Sequence, residues 1–546
     1  MTGPRFYTDV ADMCADHLAD GMHLHVASTM SRPNALVREV ARLFEGRAEF
    51  TVSANAFHAD MHALVMAGVV RHAITCFAGD TYPSPRPNPL YESLPQGAPF
   101  TVEEWSLLSL LQRLIAGATG AAATLTRSLT GSDLEAAHRK AGRVSRLDVH
   151  DPDGTLVLSP LRPDVTLVHA TCADRAGNLY LNGPVGEGWW GALAAEGGVV
   201  STVELVVDRP PPCTTSIPAD RVLAITPRPF GALPQGLPPW PECGFDGYPD
   251  DYNYLVELAE ACRTDATRAA WMEKWVRGGR TPVSSPAVAA PRRRARVAGQ
   301  LALTSREQHA ILAARAIADR ALEADYRVLL AGIGTAHLAT WLAADRLRRQ
   351  GHEVQVHAEL GLVDMRPDGG DVFLFAQRHV ARCRSHAGTL DVLGGVAAGG
   401  AGRVLGVLSA GEIDAAGRIN SSRTADGRFL VGSGGANDFA SHVETLVVAA
   451  ASPRRFVPEV SFVTCPGRNV RTVATQFGRL VRAAPEQQFE LATWMPPSGR
   501  PDADPAATLS ESTQWRVAVT GAEGEKPVTE EEIEALREFD PEGVYR

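Results

Sequence analysis

The sequence predicts an α/β protein built from two similar open α/β domains with mainly parallel sheets. Three observations predict it. Short β-rich runs alternate with helical patterns along most of the chain, the order expected of a parallel sheet covered by helices. A Gly- and Pro-rich stretch at 279–300 divides the chain into two long parts. An Asp-x-x-Gly turn recurs after a buried strand in each part.

In the first part, 1–278, the candidate strands are His23–Ala27, Glu49–Ser53, Val165–Ala170 and Gly198–Val203, with a helical pattern over Asn34–Phe44. In the second, 301–495, they are Arg327–Ala331, Glu353–His357, Val372–Ala376 and Val404–Ser409, with a helical pattern over Ser305–Ala324. The stretch between them carries Pro282, Pro286, Pro291 and the triplet Arg292, Arg293, Arg294, which reads as a solvated linker. The extension 496–546 is rich in Pro, Asp and Glu and is expected to be peripheral. The repeated turn is Asp174-Arg-Ala-Gly177-Asn178 in one part and Asp414-Ala-Ala-Gly417-Arg418-Ile-Asn420 in the other. Glycine supplies the positive φ such a turn needs.

At 546 residues the chain exceeds one ordinary core, and 45% hydrophobic residues are ample for folded domains. A formal charge of -10 argues against a general nucleic-acid binder. The eight cysteines include no C-x-x-C pair, which argues against a zinc ribbon and suits reduced thiols in the cytoplasm. Acidic Asp9, Asp12, Asp16 and Asp20 interrupt any signal-peptide pattern, and no run approaches a membrane span. The expectation is therefore a cytoplasmic protein without membrane or nucleic-acid partners. His58 and His62 stand at the i, i+4 spacing of a zinc helix. The glutamate expected beside the first histidine is missing and no third ligand is evident, so no metal is expected.

Three local patterns can carry chemistry. The run Val328 to His337 places Gly332 and Gly334 between a strand and a helix, where they form either a tight turn or a ligand-facing loop. Glu359 follows a strand in Val354-Gln-Val-His-Ala-Glu359-Leu-Gly361, at the edge where α/β sheets place ligands. By position alone it is a nucleophile, a base or a surface glutamate. The run Leu430 to Asp438 holds Gly432, Gly434 and Gly435 before a helix, a flexible turn or a nest of backbone N–H groups.

Together and in this order, these three patterns resemble the β half of the family I CoA-transferases, glutaconate CoA-transferase-like. The first part resembles the α half of the same family, through Pro163–Ala170 with Ala173–Asn178 and through Ala195–Glu204. The resemblance covers roughly 20–275 and 303–480 and implies the CoA-transferase (NagB-RpiA-like) fold, with α and β halves fused in one chain. It implies Glu359 as the catalytic carboxylate, forming a glutamyl-CoA thioester. It also implies Gly434, Gly435 and Ala436 as oxyanion and CoA-binding groups, with Gly332 and Gly334 beside them. CoA is then substrate and product, an acyl-CoA and a carboxylate are the other partners, and a homodimer is compatible.

Two departures stand out. Arg418 replaces the usual asparagine of the second turn. Ser28, Thr29, Met30, Ser31 and Arg32 replace the usual Gly-Gly-Phe-type loop of the acyl pocket, side chains that would shrink or repolarise that pocket. The alternative reading is an acyl-CoA hydrolase or a ring-opening C–C hydrolase with Glu104, in Glu103-Glu104-Trp105-Ser106, as base. A non-catalytic acyl-CoA sensor is the remaining reading.

Overall fold

The computed structural model describes residues 3–30, 32–147, 151, 154–212, 215–280, 303–366, 371–400 and 402–546. The expected linker lies outside the described residues from 281 onward, as does Ser31.

The larger sheet runs Arg5–Phe6, Val222–Pro227, Gly198–Val207, Val165–Asp174, His23–Val26, Phe50–Ser53, Val70–Thr75 and Thr101–Glu104, in that spatial order. Every neighbouring pair along this path is parallel. The central strand Val165–Asp174 is buried along its whole length, as both faces are covered. The helix Asn34–Phe44 forms with the expected bounds and buries Leu36, Val37, Val40 and Ala41. These residues repeat at the three- and four-residue spacing of one helix face.

The second sheet runs Gln355–His357, Val328–Ala331, Val404–Ser409, Glu444–Val448 and Val470–Thr475 in parallel, then turns antiparallel into Gly478–Val481 and Glu490–Leu491. The helix Ser305–Glu323 starts at a reciprocal cap between Thr304 and Glu307 and packs on Thr335–Arg349.

The two Asp-x-x-Gly turns have the same design. Asp174 accepts from Asn178 N at 2.9 Å and Asn178 Nδ2 at 2.8 Å. Asp414 accepts from Arg418 N at 3.0 Å and Arg418 Nε at 2.7 Å. Arg418 thus replaces the asparagine amide as a side-chain donor. Gly177 and Gly417 carry φ of +91° and +75°.

Two expectations are corrected. Val372–Ala376 is not a strand. Val372, Phe373, Leu374 and Ala376 are buried, but two carbonyls pair with histidines: Val372 O with His337 Nδ1 at 3.0 Å and Phe373 O with His379 Nε2 at 2.9 Å. Apolar content alone does not distinguish a sheet strand from a buried loop whose carbonyls find side-chain donors. The extension is not peripheral either. Leu509, Trp515 and Leu536 are buried in the cores, and Arg315 pairs with Glu525 at 3.0 Å and Glu532 at 2.6 Å.

Candidate active site

The C-terminal edges of both sheets open onto one cavity of about 710 Å³. That volume suits a small-molecule ligand, and strand C-termini are where open α/β sheets bind ligands. From the second sheet, Ala331 leads to Gly332 and Gly334, and His357 leads to Glu359. From the first, Val26 leads to Ser28 and Thr29, Ser53 to Asn55, and Thr75 to Cys76.

Glu359 is half-buried at the cavity wall. A short turn aims it there: Gly361 N donates to Ala358 O at 3.0 Å, and Gly361 holds φ of +99°. Among the described residues, the Glu359 carboxylate has neither a hydrogen-bond donor nor an ion-pair partner. Burial, followed by the nearby Asp438, pushes it up to about 8. It sits against Gly435, where an added Cβ would collide with Oε2. Gly435 Cα is thus the floor on which the carboxylate rests.

The 432–438 loop is also the seam between the halves. Gly434 N donates to Cys76 O at 2.8 Å, and Gly434 O accepts from Leu107 N at 3.0 Å. Asp438 Oδ2 accepts from Leu108 N at 2.9 Å, and Asn437 Oδ1 from Leu129 N at 2.7 Å. This alters the part expected of Gly434 and Ala436 as oxyanion donors. The Gly434 N–H is engaged across the seam, and that of Ala436 donates to Ser433 O at 3.1 Å. Among the described residues the Gly435 N–H has no acceptor, and it adjoins Glu359. Gly332 is likewise engaged, donating to Val407 O at 2.8 Å, while Gly334 holds φ of +87° at the start of the Thr335–Arg349 helix.

Ser28, Thr29 and Arg32 line the cavity. Met30 does not. It is buried in the second core, where Gln377 Nε2 approaches its Sδ at 3.8 Å. An apolar side chain flanked by polar ones turns away from the wet face of the loop.

Glu104 lies behind the cavity wall, 5% exposed and outside the lining. Ser422 Oγ donates to it across the seam, and burial pushes its carboxyl up to about 7. Ser422→Ala strands this buried acid and the Thr464 hydroxyl that meets Ser422 at 2.8 Å. We expect a loss of roughly 1–3 kcal/mol in unfolding free energy, read by chemical denaturation.

The histidine pair diverges. The helix begins only at Met61, so His58 and His62 do not share a helix face. His58 pairs with Ser28 O at 3.1 Å and Thr81 Oγ1 at 3.2 Å, and His62 with Tyr91 OH at 2.7 Å and Asp80 Oδ1 at 3.2 Å.

Sequence reasoning missed Asn55 and Cys76. Each follows a strand of the first sheet, a position that could have flagged them, but no motif surrounds either. Cys76 Sγ donates to Asn55 O at 2.8 Å, and burial holds the thiol well above its usual range, so it is no thiolate nucleophile.

The fold and cleft define an α/β protein of two sheets that present to a shared ligand cavity a carboxylate, Glu359, without a partner among the described residues. Residues 7–226 match the family described as Coenzyme A transferase. It is 28% identical over 179 residues to one of the subunits of the 3-oxoadipate CoA-transferase of Pseudomonas knackmussii, covering 32% of this chain and 60% of that protein. It is 29% identical over 180 residues to an uncharacterized protein of Archaeoglobus fulgidus, covering 32% of this chain and 38% of that one. The matches therefore span less than two thirds of either relative. The fold of the whole chain is that of the acyl-CoA transferase YdiF of Escherichia coli O157:H7, solved as a thioester complex with CoA. The TM-score is 0.67 at 13% identity, over 96% of this chain and 95% of that one. Among the described residues no helix is long and apolar enough to cross a membrane.

Proposed function

We propose that this chain transfers CoA between an acyl-CoA and a carboxylic acid through a glutamyl-CoA thioester on Glu359. The observation that carries the reading is a carboxylate in the cavity that has no partner among the described residues and lies against Gly435, whose N–H is likewise unengaged among them. A nucleophile needs a free lone pair, and the tetrahedral oxyanion it creates needs a preorganised donor.

The Glu359 carboxylate attacks the thioester carbonyl, giving an acyl–glutamyl anhydride and releasing CoA thiolate. The thiolate attacks the glutamyl carbonyl, forming the glutamyl-CoA thioester and freeing the first carboxylate. An acceptor carboxylate then attacks that thioester and releases CoA thiolate again. The thiolate takes the acceptor's acyl group from the new anhydride and regenerates Glu359. In this reading the Gly435 N–H is the donor for the charge that develops next to Glu359. The thioester complex solved for the YdiF fold neighbour is consistent with this route. Glu104, the base of the hydrolytic alternative, does not line the cavity.

Trapping tests the proposal. Incubation with an acyl-CoA followed by borohydride should convert the Glu359 side chain to an alcohol, a loss of one oxygen and gain of two hydrogens on its peptide by mass spectrometry. Persistent absence of that change during turnover removes the thioester.

The pH profile gives a second measurement. Only the carboxylate of Glu359 attacks, and its pKa is raised to about 8. kcat/KM for the acyl-CoA should therefore rise about tenfold per pH unit below that value and level off above it. An inflection near 7 that vanishes in Glu104→Gln would point to Glu104 instead.

A further inference from the structure

The rim of the cavity is built from both halves of the chain. Pro83, Ser84, Pro85 and Arg86 come from a hairpin of the first half, and Val544 and Tyr545 from the extension packed on the second. All six are half-buried or exposed, whereas Asn55 and Cys76 at the floor are 1% and 2% exposed. The root of the hairpin is well held. Gly79 N donates to Phe57 O at 3.1 Å, Asn88 Nδ2 donates to Asp80 Oδ1 at 2.9 Å, and the Tyr82 ring stacks on Tyr252 at 4.2 Å. Asp80 and Arg86 exchange two backbone bonds of 3.0 Å, but these close the hairpin on itself. Pro83 and Pro85 have no N–H to offer a neighbour. Among the described residues, the one hydrogen bond from the tip, 83–86, to another part of the chain is accepted by Pro83 O from Tyr545 OH, at 3.2 Å.

Tyr545 is itself firmly mounted. The helix Glu530–Phe539 ends at Asp540, which is 2% exposed and whose carboxylate accepts from Val544 N and Tyr545 N, both at 2.8 Å. Gly543 N donates to Asp540 O at 3.0 Å, and Arg546 Nε pairs with Glu307 at 3.2 Å. The hairpin tip also stands close to the 332–335 turn: a Cβ built on Gly334 would lie 3.8 Å from Ser84 Cβ. The Pro83–Tyr545 bond therefore crosses the rim from one half to the other. A neutral hydrogen bond at a partly wet rim has a small net worth, so breaking it is easy while the anchors on either side stay intact.

Resting on the transfer reading, we infer that Tyr545 is a positioning residue: its hydroxyl latches the hairpin tip across the rim, and an acyl-CoA enters and leaves when that bond opens. The hydroxyl is engaged by Pro83, so it acts through the hairpin and not on the reacting atoms. A closed rim also shields the cavity that holds Glu359 from bulk water, which would hydrolyse an anhydride or a thioester formed there.

The test uses Tyr545→Phe, which removes the hydroxyl and keeps the ring. Amide hydrogen exchange reads the latch without ligand. The Asp80 and Arg86 amides of the hairpin and the amides at 544 and 545 should exchange roughly threefold to tenfold faster than in the wild type, the range for losing one such bond. Unchanged exchange in the hairpin overturns the inference. Stopped-flow binding of CoA reads the gate. Association and dissociation rates should rise by the same factor, roughly threefold to tenfold, leaving Kd within about twofold. A Tyr545 that only lines the cavity would change dissociation and leave association untouched, and that result also overturns the inference. If CoA does not bind and no acyl-CoA traps Glu359, the transfer reading itself falls, and hydrogen exchange alone then decides whether Tyr545 holds the hairpin.

Discussion

Glu359→Gln should lower CoA transfer by at least about 10⁴-fold, with the folded state retained. The size follows from removing the atom that makes the covalent bond, since losses of nucleophiles that act as a unit are of this order. The amide keeps the volume, and because the carboxylate has no protein partner among the described residues, the substitution breaks no ion pair or hydrogen bond. Stability should therefore be unchanged or slightly improved, as a desolvated acid is replaced by a neutral group. Steady-state transfer assays with denaturation curves check both halves. The control is Glu104→Gln: a loss there as large as at Glu359 would shift the chemistry to the first half, whereas a stability change without loss of transfer fits a seam residue.

Gly435→Ala is the second large effect, and it separates geometry from chemistry. Gly435 has φ of -86° and ψ of -1°, which alanine adopts without strain. The added methyl instead collides with Glu359 Oε2. The carboxylate must move aside, away from the Gly435 N–H, and misplacing a reacting group by about 1 Å costs on the order of 10² in rate. We expect kcat to fall about 10²-fold, thioester trapping to slow in parallel, and thermal stability to remain near wild type. An active Gly435→Ala enzyme would mean that the carboxylate reacts from another rotamer.

The parts legible in the sequence are those written in local pattern. The helix Asn34–Phe44 has its predicted bounds because its apolar residues repeat at helical spacing. Val165–Ala170, the first part of the strand Val165–Asp174, and Val404–Ser409 were readable as strands because both are rich in β-branched and apolar residues. The paired Asp-x-x-Gly turns were visible because positive φ demands glycine at a set offset from the aspartate. Where pattern and environment part, the reading failed. Val372–Ala376 has strand composition and loop hydrogen bonding. Met30 sits in a cavity-lining loop and points into the other half's core.

Sequence alone determined that the chain builds two α/β sheets, that Glu359 and the 332–335 turn lie at strand ends and that the 432–438 loop leads into a helix, because strand period and glycine placement are local properties. Tertiary structure alone decided which backbone donors are engaged, that Glu104 stands behind the cavity wall, and that Arg32 Nε and the Asn55 side-chain amide have no partner among the described residues. Hydrogen-bond satisfaction and desolvation depend on groups brought together from hundreds of residues apart, as when Gly434 meets Cys76. No spacing rule along one chain encodes that meeting.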